Sequence, residues 1–423
     1  MKVFKFGGAS LIDAEGFRNV KQILEFYKQE ELVVVVSALG KTTNALEQIA
    51  KAYSKKTGEA IELLNNLRQH HFEILSSLLP KNHSAFDDLN NSFVEIDWIL
   101  EDEPSDSIDY IYDQIVSIGE MACTKMLAAF LNENGLKIQW MDARDFIKTD
   151  NNYREGKIYW DITERNCKEK IPPILKQGWV LTQGYIGGTS ENLTTTLGRE
   201  GSDYSAAVIA YCMDAESVTI WKDVPGVLNA DPRYFPNSKK IDELSYKEAI
   251  EMTFYGATVI HPKTMKPLQN KNIPLFVKSF LHPELKGTFI SENVGNENTI
   301  PILVLKPEQI LISVSPKDFS FMDEENLEKI FNLMVKHRVH FNMMQNAAIS
   351  FSFCADHIPQ RINPFLEDLS SQYKILTNDG LQLLTIRHYN DEVIQQQTEN
   401  RKILLEQKTR QTIQMVINNV IPI

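Results

Sequence analysis

The sequence predicts an α/β protein, a mostly parallel sheet sandwiched by helices and followed by a ferredoxin-like antiparallel sheet. Three observations carry this. Strand-like and helix-like segments alternate from Lys2 to Phe280, the pattern of βα units. Leu32 to Ala38, LVVVVSA, is an unbroken run rich in β-branched residues, as in a strand covered on both faces. Beyond the polar stretch Ser291 to Thr299, SENVGNENT, the order becomes strand, helix, strand, strand, helix, strand. A chain of 423 residues accommodates two such bodies, and domains are expected at 1–292 and 300–423.

Composition narrows the function classes. A net charge of -12 argues against a surface for DNA or RNA, whose footprints are usually basic. Any phosphate bound is expected to be small and locally held. Cys123, Cys167, Cys212 and Cys354 form no CxxC pair and read as reduced thiols, so neither zinc nor a disulfide is indicated. No stretch reads as a leader or as a membrane span, and a cytoplasmic protein without a membrane partner is expected.

In chain order, KVFKF at Lys2 to Phe6 reads as a strand that breaks at Gly7-Gly8, with Ala9-Ser10 before an amphipathic helix from Ala14 to Glu30. Strand, glycine turn, helix can place free N–H groups at an anion within reach of Lys5, although an edge-strand lysine beside a turn has the same pattern. After Leu32 to Ala38 the chain turns at Gly40. The following Lys41-Thr42 is not a phosphate-binding P-loop, because Val35 stands where that motif needs glycine. Ser37, Thr43 and Asn44 are polar candidates at a strand's carboxyl end, where open α/β sheets bind ligands. From Asn44 to Leu131 the pattern is helical, and His70, His71 and His83 read as solvated residues rather than metal ligands. Within it SIGE, Ser117 to Glu120, reads as a small-residue break before a carboxylate at a helix start, which alone would be a capping or dipole partner.

Leu136 to Ala143 and Gly178 to Thr189 read as strands, the latter leading into TTTLGREGSD, Thr194 to Asp203. Hydroxyls, Gly198, Arg199, Gly201 and a Ser-Asp pair gather there on a loop entering a helix, Ser202 to Met213. Ser202 or Asp203 suits the N-cap or first turn, and Arg199 offers a fork matching a carboxylate or phosphate. Composition leaves this open between an anion site and a solvated loop. Ser217 to Trp221 is a strand, followed by KDVPGVLNADPR with Lys222, Asp223, Asp231 and Arg233. His261 and Lys263 read as structural at a helix start marked by Pro262. Ile273 to Phe280 is a strand. The second body starts with ILISVSP, a helix from Asp323 to His337, strands VHFNMMQN and AISFSFCAD, and a helix from Pro359 to Ser370. Strands YKILTND and LQLLTIRH, then one short helix and two strands, complete it.

Seven motifs in order, KFGGAS, VSALGKTTNAL, SIGE, QGYIG at Gln183 to Gly187, TTTLGREGSD, WKDVPG at Trp221 to Gly226 and ADPR at Ala230 to Arg233, resemble aspartate kinase over nearly the whole chain. The resemblance implies the amino-acid kinase fold with a C-terminal regulatory region of ACT type. It also implies ATP- and Mg²⁺-dependent phosphorylation of the side-chain carboxylate of L-aspartate. By that resemblance Lys5 and Asp203 are catalytic, and Ser37, Thr43, Glu120, Tyr185 and Arg199 bind the amino acid. Lys5, Gly7, Gly8, Ser10, Lys222, Asp223, Asp231 and Arg233 then belong to the nucleotide site, no residue is assigned as a metal ligand, and a homodimer through the ACT-like strands and an amino-acid feedback effector follow.

The chain departs from the family at Glu200, where glycine is usual and whose side chain is expected to point outward, and at Lys222, Leu228 and Thr258. In the regulatory half it departs at Phe319 to Met322 and at Asn342, and the second repeat looks truncated, without a closing helix. Related kinases of glutamate, acetylglutamate, carbamate or UMP do not combine SIGE, TTTLGREGSD and an ACT-like region. A sensing protein that has lost its kinase activity would not be expected to keep Lys5, Glu120, Arg199 and Asp203 together.

Overall fold

The computed structural model describes residues 1–257, 260–295, 300–318 and 320–418. The chain divides into two units: Met1–Val227, Lys240–Ile250 and Val259–Glu297 form the first, and Leu228–Lys239, Glu251–Thr258 and Asn298–Ile423 the second.

The first unit opens with β1 (Lys2–Phe6), α1 (Ala14–Glu25) and β2 (Leu32–Val36). Asp13 caps α1 through its carboxylate and the Gly16 N–H, and the helix buries Phe17, Val20, Ile23 and Leu24. Such a cap is worth about 1 kcal/mol. Four helices follow, α2 (Thr42–Ser54), α3 (Ala60–Leu78), α4 (Ala85–Glu101) and α5 (Ile108–Glu133). Then come β3 (Ile138–Met141), α6 (Trp160–Leu175), β4 (Trp179–Gln183), β5 (Ile186–Gly188), β6 (Thr194–Thr196), α7 (Gly201–Cys212) and β7 (Ser217–Lys222). After them are β8 (Glu243–Ser245), α8 (Tyr246–Tyr255), whose residues from Glu251 onward are counted with the second unit, α9 (Pro262–Asn270), β9 (Leu275–Ser279) and β10 (Thr288–Ser291).

The main sheet has the order β3-β4-β2-β1-β7-β9-β10-β8, antiparallel only between β9 and β10. Every residue of β2 and β4 is buried, as the continuous apolar run of β2 predicts for a strand between helical layers. Phe4, Phe6 and Trp221 fill one face, with Phe6 and Trp221 stacked at 5.9 Å between centroids. Because β4, β2, β1 and β7 are parallel, their carboxyl ends share one edge, and it is there that the candidate groups gather.

The structure departs from the sequence expectation at several places in this unit. Ser117 to Glu120 is no helix start; it lies inside α5, where Gly119 lets the helix meet the start of α2. A Cβ on Gly119 would stand 2.9 Å from both Thr42 Cγ2 and Leu46 Cδ1. The segment Gly178 to Thr189 is two strands, divided at Tyr185 with φ 71°, and β5 pairs antiparallel with β6, so the threonines are a buried strand rather than loop. His71 is not solvated but wholly buried. Finally, α5 is long and apolar enough to cross a membrane, yet most of it lies inside the unit as a core helix.

In the second unit, β11 (Ile302–Pro316), α10 (Glu324–His337), β12 (Phe341–Ala347), β13 (Ser350–Asp356), α11 (Pro359–Ser370) and β14 (Tyr373–Arg387) form a βαββαβ repeat. Its sheet is antiparallel with the order β12-β13-β11-β14, the ferredoxin-like arrangement. Asp323 caps α10, whose first turn carries Glu324 and Glu325 and whose last turn carries Lys336 and His337, matching the helix dipole. The two strands expected between Tyr373 and His388 are one, β14. Past an irregularity between Lys306 and Gln309, its second half pairs with the start of β11 and is extended by β16 (Thr412–Asn418) and β15 (Ile403–Lys408). The helix α12 (Asp391–Thr398) precedes these, and among the described residues no helix follows them. Thr258, Phe319 and part of the stretch Ser291 to Thr299 lie outside the described residues.

Candidate active site

At the end of β1, Gly7 and Gly8 let two loops touch. A Cβ on Gly8 would fall 2.8 Å from Gly40 O and 2.9 Å from Ala38 O, and one on Gly7 would fall 3.1 Å from Lys5 Nζ. Side chains there would displace either the second loop or the lysine. Ser10 is buried in the next turn, its N–H bonded to Gly7 O.

Lys5 Nζ lies 2.7 Å from Asp203 Oδ1, in the first turn of α7, and Lys222 Nζ lies 4.0 Å from Asp203 Oδ2 at the end of β7. The Asp203 side chain is only 4% exposed. Burial raises its pKa, but the charges of Lys5 and Lys222 outweigh burial and hold the carboxyl below its usual value. The result is a buried ammonium fixed by an ionised carboxylate, with a second ammonium beside it. The helix cap is neither Ser202 nor Asp203 but Glu200, which has φ 52° and makes no side-chain cap bond.

Glu120 comes from the middle of α5 and is 2% exposed. Its Oε1 accepts the Ala38 N–H at 3.3 Å, while Oε2 is buried without a protein partner among the described residues. Burial pushes its pKa up to about 8. A buried carboxylate with one oxygen unmatched is prepared for a cation. Arg199, one residue before Glu200, makes no hydrogen bond or ion pair among the described residues and is exposed to the same space.

These groups line one cavity of about 900 Å³, together with Gly8, Ser37, Thr43, Tyr185 and Lys222. The cavity thus brings together Lys5, Gly8, Ser37, Thr43, Glu120, Tyr185, Arg199, Asp203 and Lys222 from separate parts of the sequence. Tyr185 reaches it from the break between β4 and β5, its hydroxyl 3.3 Å from that of Tyr112; burial and then Tyr112 raise its pKa. Gly7, Ser10 and Asp223 are not among the lining residues; Asp223 is exposed after β7. Asp231 and Arg233 belong to the second unit and pair with each other, Arg233 Nε at 3.0 and 3.1 Å from the two carboxylate oxygens.

Sequence reasoning missed one wall. Asp109 and Tyr112 of α5 and the loop Asn152, Tyr153, Arg154 and Glu155 also line the cavity. Buried Asp113 holds that loop, accepting the Arg154 N–H at 2.8 Å, the Thr196 N–H at 2.9 Å and the Thr196 hydroxyl at 2.7 Å. Arg154 stacks over the Tyr112 ring at 4.0 Å and neighbours Asp109 and Glu47. The signal available was only NNYREG, a run of turn-forming residues. Glu200 likewise differs from expectation: it lines the cavity, and its Oε2 accepts the His261 N–H at 2.9 Å rather than pointing outward. Behind the site, His71 Nδ1–H donates to Leu67 O at 2.9 Å, which leaves Nε2 to accept from the Thr42 hydroxyl at 3.3 Å. Burial lowers its pKa to about 4.

The model of the amino acid kinase family matches residues 1–279. Lysine-sensitive aspartokinase 3 of Escherichia coli is 30% identical over 393 residues, 91% of this chain and 86% of that protein. The crystal structure of E. coli aspartokinase III in complex with lysine and aspartate, the T-state, superposes with a TM-score of 0.85 at 27% identity, covering 99% of this chain and 96% of that one. The R-state structure of the same enzyme with aspartate and ADP superposes with a TM-score of 0.81 at 26% identity and the same coverage. The chain spans less than half of the bifunctional aspartokinase/homoserine dehydrogenases that it also matches. The fold, the cavity at the carboxyl edge of the sheet and these likenesses agree: the chain belongs to the amino acid kinase family, among its aspartokinases.

Proposed function

We propose that the chain transfers the γ-phosphoryl group of ATP to the side-chain carboxylate of L-aspartate, giving 4-phospho-L-aspartate and ADP. The observation that carries this is one cavity holding a buried carboxylate oxygen and a guanidinium, both without a partner among the described residues, and an ion-paired buried lysine. These are the complements of an ammonium, a carboxylate and a phosphoryl group. The E. coli relative crystallised with aspartate and ADP supports the same substrates.

In this reading Glu120 takes the substrate ammonium and Arg199 holds its α-carboxylate with two hydrogen bonds. Ser37, Thr43 and Tyr185 donate around the acceptor. The side-chain carboxylate arrives ionised, so attack needs position rather than a strong base. Lys5, held by Asp203, faces the charge that spreads over the transferred group's oxygens, with the Gly7-Gly8 turn and Lys222 beside it. Asp223, Asp231 and Arg233 are proposed for the nucleotide end on the family resemblance. Among the described residues no three His, Cys, Asp or Glu side chains come together as a metal cage. The Asp203 carboxylate is an oxygen donor of the kind Mg²⁺ takes; it would hold the ion together with phosphate oxygens, and the ion would neutralise phosphate charge.

The second unit, with its ferredoxin-like repeat, is proposed to sense an amino acid and to pair with a second copy of the chain, and the enzyme is proposed to work in the cytoplasm. ATP-dependent hydroxamate formation with L-aspartate and not with L-glutamate tests the reaction. Parallel assays with L-lysine or L-threonine test the sensing, and sedimentation showing only monomer at micromolar concentration would remove the dimer.

A further inference from the structure

The loop that carries Arg199 is gripped by α9, and we infer that Glu200 and Lys263 are positioning residues that set where the Arg199 guanidinium meets the acceptor's carboxylate. This rests on the proposed reaction. The chain leaves β6 at Leu197, passes Arg199 and enters α7 through Glu200. Glu200 has φ 52°, a left-handed conformation in which a residue with a side chain is strained and glycine is not. A glutamate in such a place needs compensation, and its side chain shows it. Oε2 accepts the His261 N–H at 2.9 Å. His261 is the N-cap of α9 and its Nδ1 accepts the Lys263 N–H at 3.2 Å, while Pro262 has no N–H to offer. The carboxylate therefore sits at the donor end of a helix, where negative charge is favoured.

A second grip acts on the other side of Arg199. Lys263 Nζ donates to Leu197 O at 2.9 Å and lies 4.6 Å from the centroid of the Tyr204 ring, so α9 reaches both the start of the loop and the first turn of α7. Arg199 lies between these anchors and has no hydrogen bond or ion pair of its own among the described residues. Its guanidinium is placed by the backbone from which it extends, and that backbone is placed by α9. The anchoring also turns the extra carboxylate in the cavity toward a helix end.

The test is steady-state kinetics on the full chain. Glu200→Gly relieves the backbone strain but removes the anchor; loss of a hydrogen bond to a charged group at the point that sets Arg199 should raise the aspartate KM roughly tenfold, with the ATP KM within about twofold. Glu200→Gln keeps an oxygen for the His261 N–H and should restore the wild-type aspartate KM. Lys263→Met keeps the stem against Tyr204, removes the donor to Leu197 O, and should raise the aspartate KM several-fold. In an Arg199→Ala background Glu200→Gly should add nothing, since the residue it positions is gone. An unchanged aspartate KM in Glu200→Gly, an equal rise for ATP, a Glu200→Gln value matching Glu200→Gly, or a full effect in the Arg199→Ala background each overturns the inference. A wild-type protein unable to phosphorylate aspartate would instead overturn the proposed reaction, so the two failures are distinguishable.

Discussion

Glu120 makes the reading testable by pH. In the free protein its carboxyl is pushed up to about 8 by burial, with one oxygen on the Ala38 N–H and the other unmatched. An entering ammonium needs the ionised form, so substrate binding releases a proton below that pH. With a pKa of about 8, roughly 1% of Glu120 is ionised at pH 6 and about half at pH 8, which predicts an aspartate KM that falls on the order of fifty-fold between them. Substrate carboxylates and ammonium keep their charges over this range, and saturating Mg²⁺ holds ATP in one form. The assay is coupled detection of ADP at fixed saturating ATP. Glu120→Gln, which cannot ionise, should abolish the pH trend and raise the KM by about a hundredfold or more, the scale of losing one partner of a buried charge pair. The stability trend runs the other way. A carboxyl raised from 4.5 to about 8 contributes stability fully below about pH 4.5 and loses it as pH rises through about 8, on the order of 4 kcal/mol by pH 8, and Glu120→Gln should escape this loss. A wild-type KM that is flat from pH 6 to 8, or a Glu120→Gln enzyme that keeps the trend, refutes the assignment.

The other predictions concern charge and burial. Arg199→Lys removes paired donation and should raise the aspartate KM by at least tenfold while leaving that for ATP nearly unchanged; equal effects on both would reject its selectivity. Asp203→Asn leaves Lys5 without its anion and should lower kcat by about a hundredfold or more with a smaller effect on either KM; a KM effect alone would place Asp203 in binding only. His71, lowered to about 4 by burial, is neutral in the fold, so the unfolded chain binds the extra proton and stability falls as pH drops from 6.5 to about 4. Urea midpoints over that range should fall less steeply in His71→Gln than in wild type, and parallel slopes would show that other groups govern acid unfolding.

What was legible in the sequence was what local chemistry dictates. LVVVV is buried on both faces because only apolar, mostly β-branched side chains occupy it, and α11 begins at Pro359, where a missing N–H costs nothing. Lys5, Arg199 and Asp203 stood out because glycine turns and a helix start surround them. The failures came where distant packing decides. Ser117 to Glu120 resembles a break until Ala38, Thr42 and Leu46 press against Gly119. Thr194 to Thr196 reads as a hydroxyl-rich loop until β5 and Asp113 satisfy its backbone and hydroxyls. His71 looks solvated until Thr42 and the Leu67 carbonyl meet it. The wall formed by Asn152 to Glu155 is held by contacts more than forty residues away in sequence, which no local pattern records.

The central claim is that the side-chain carboxylate of aspartate is the acceptor, and borohydride reduction of the product tests it most directly. An acyl phosphate on that carboxylate is reduced to homoserine, whereas one on the α-carboxylate gives 3-amino-4-hydroxybutanoate. Homoserine formed in proportion to ADP is the result expected. ADP released without homoserine, or with the other alcohol, would contradict the account.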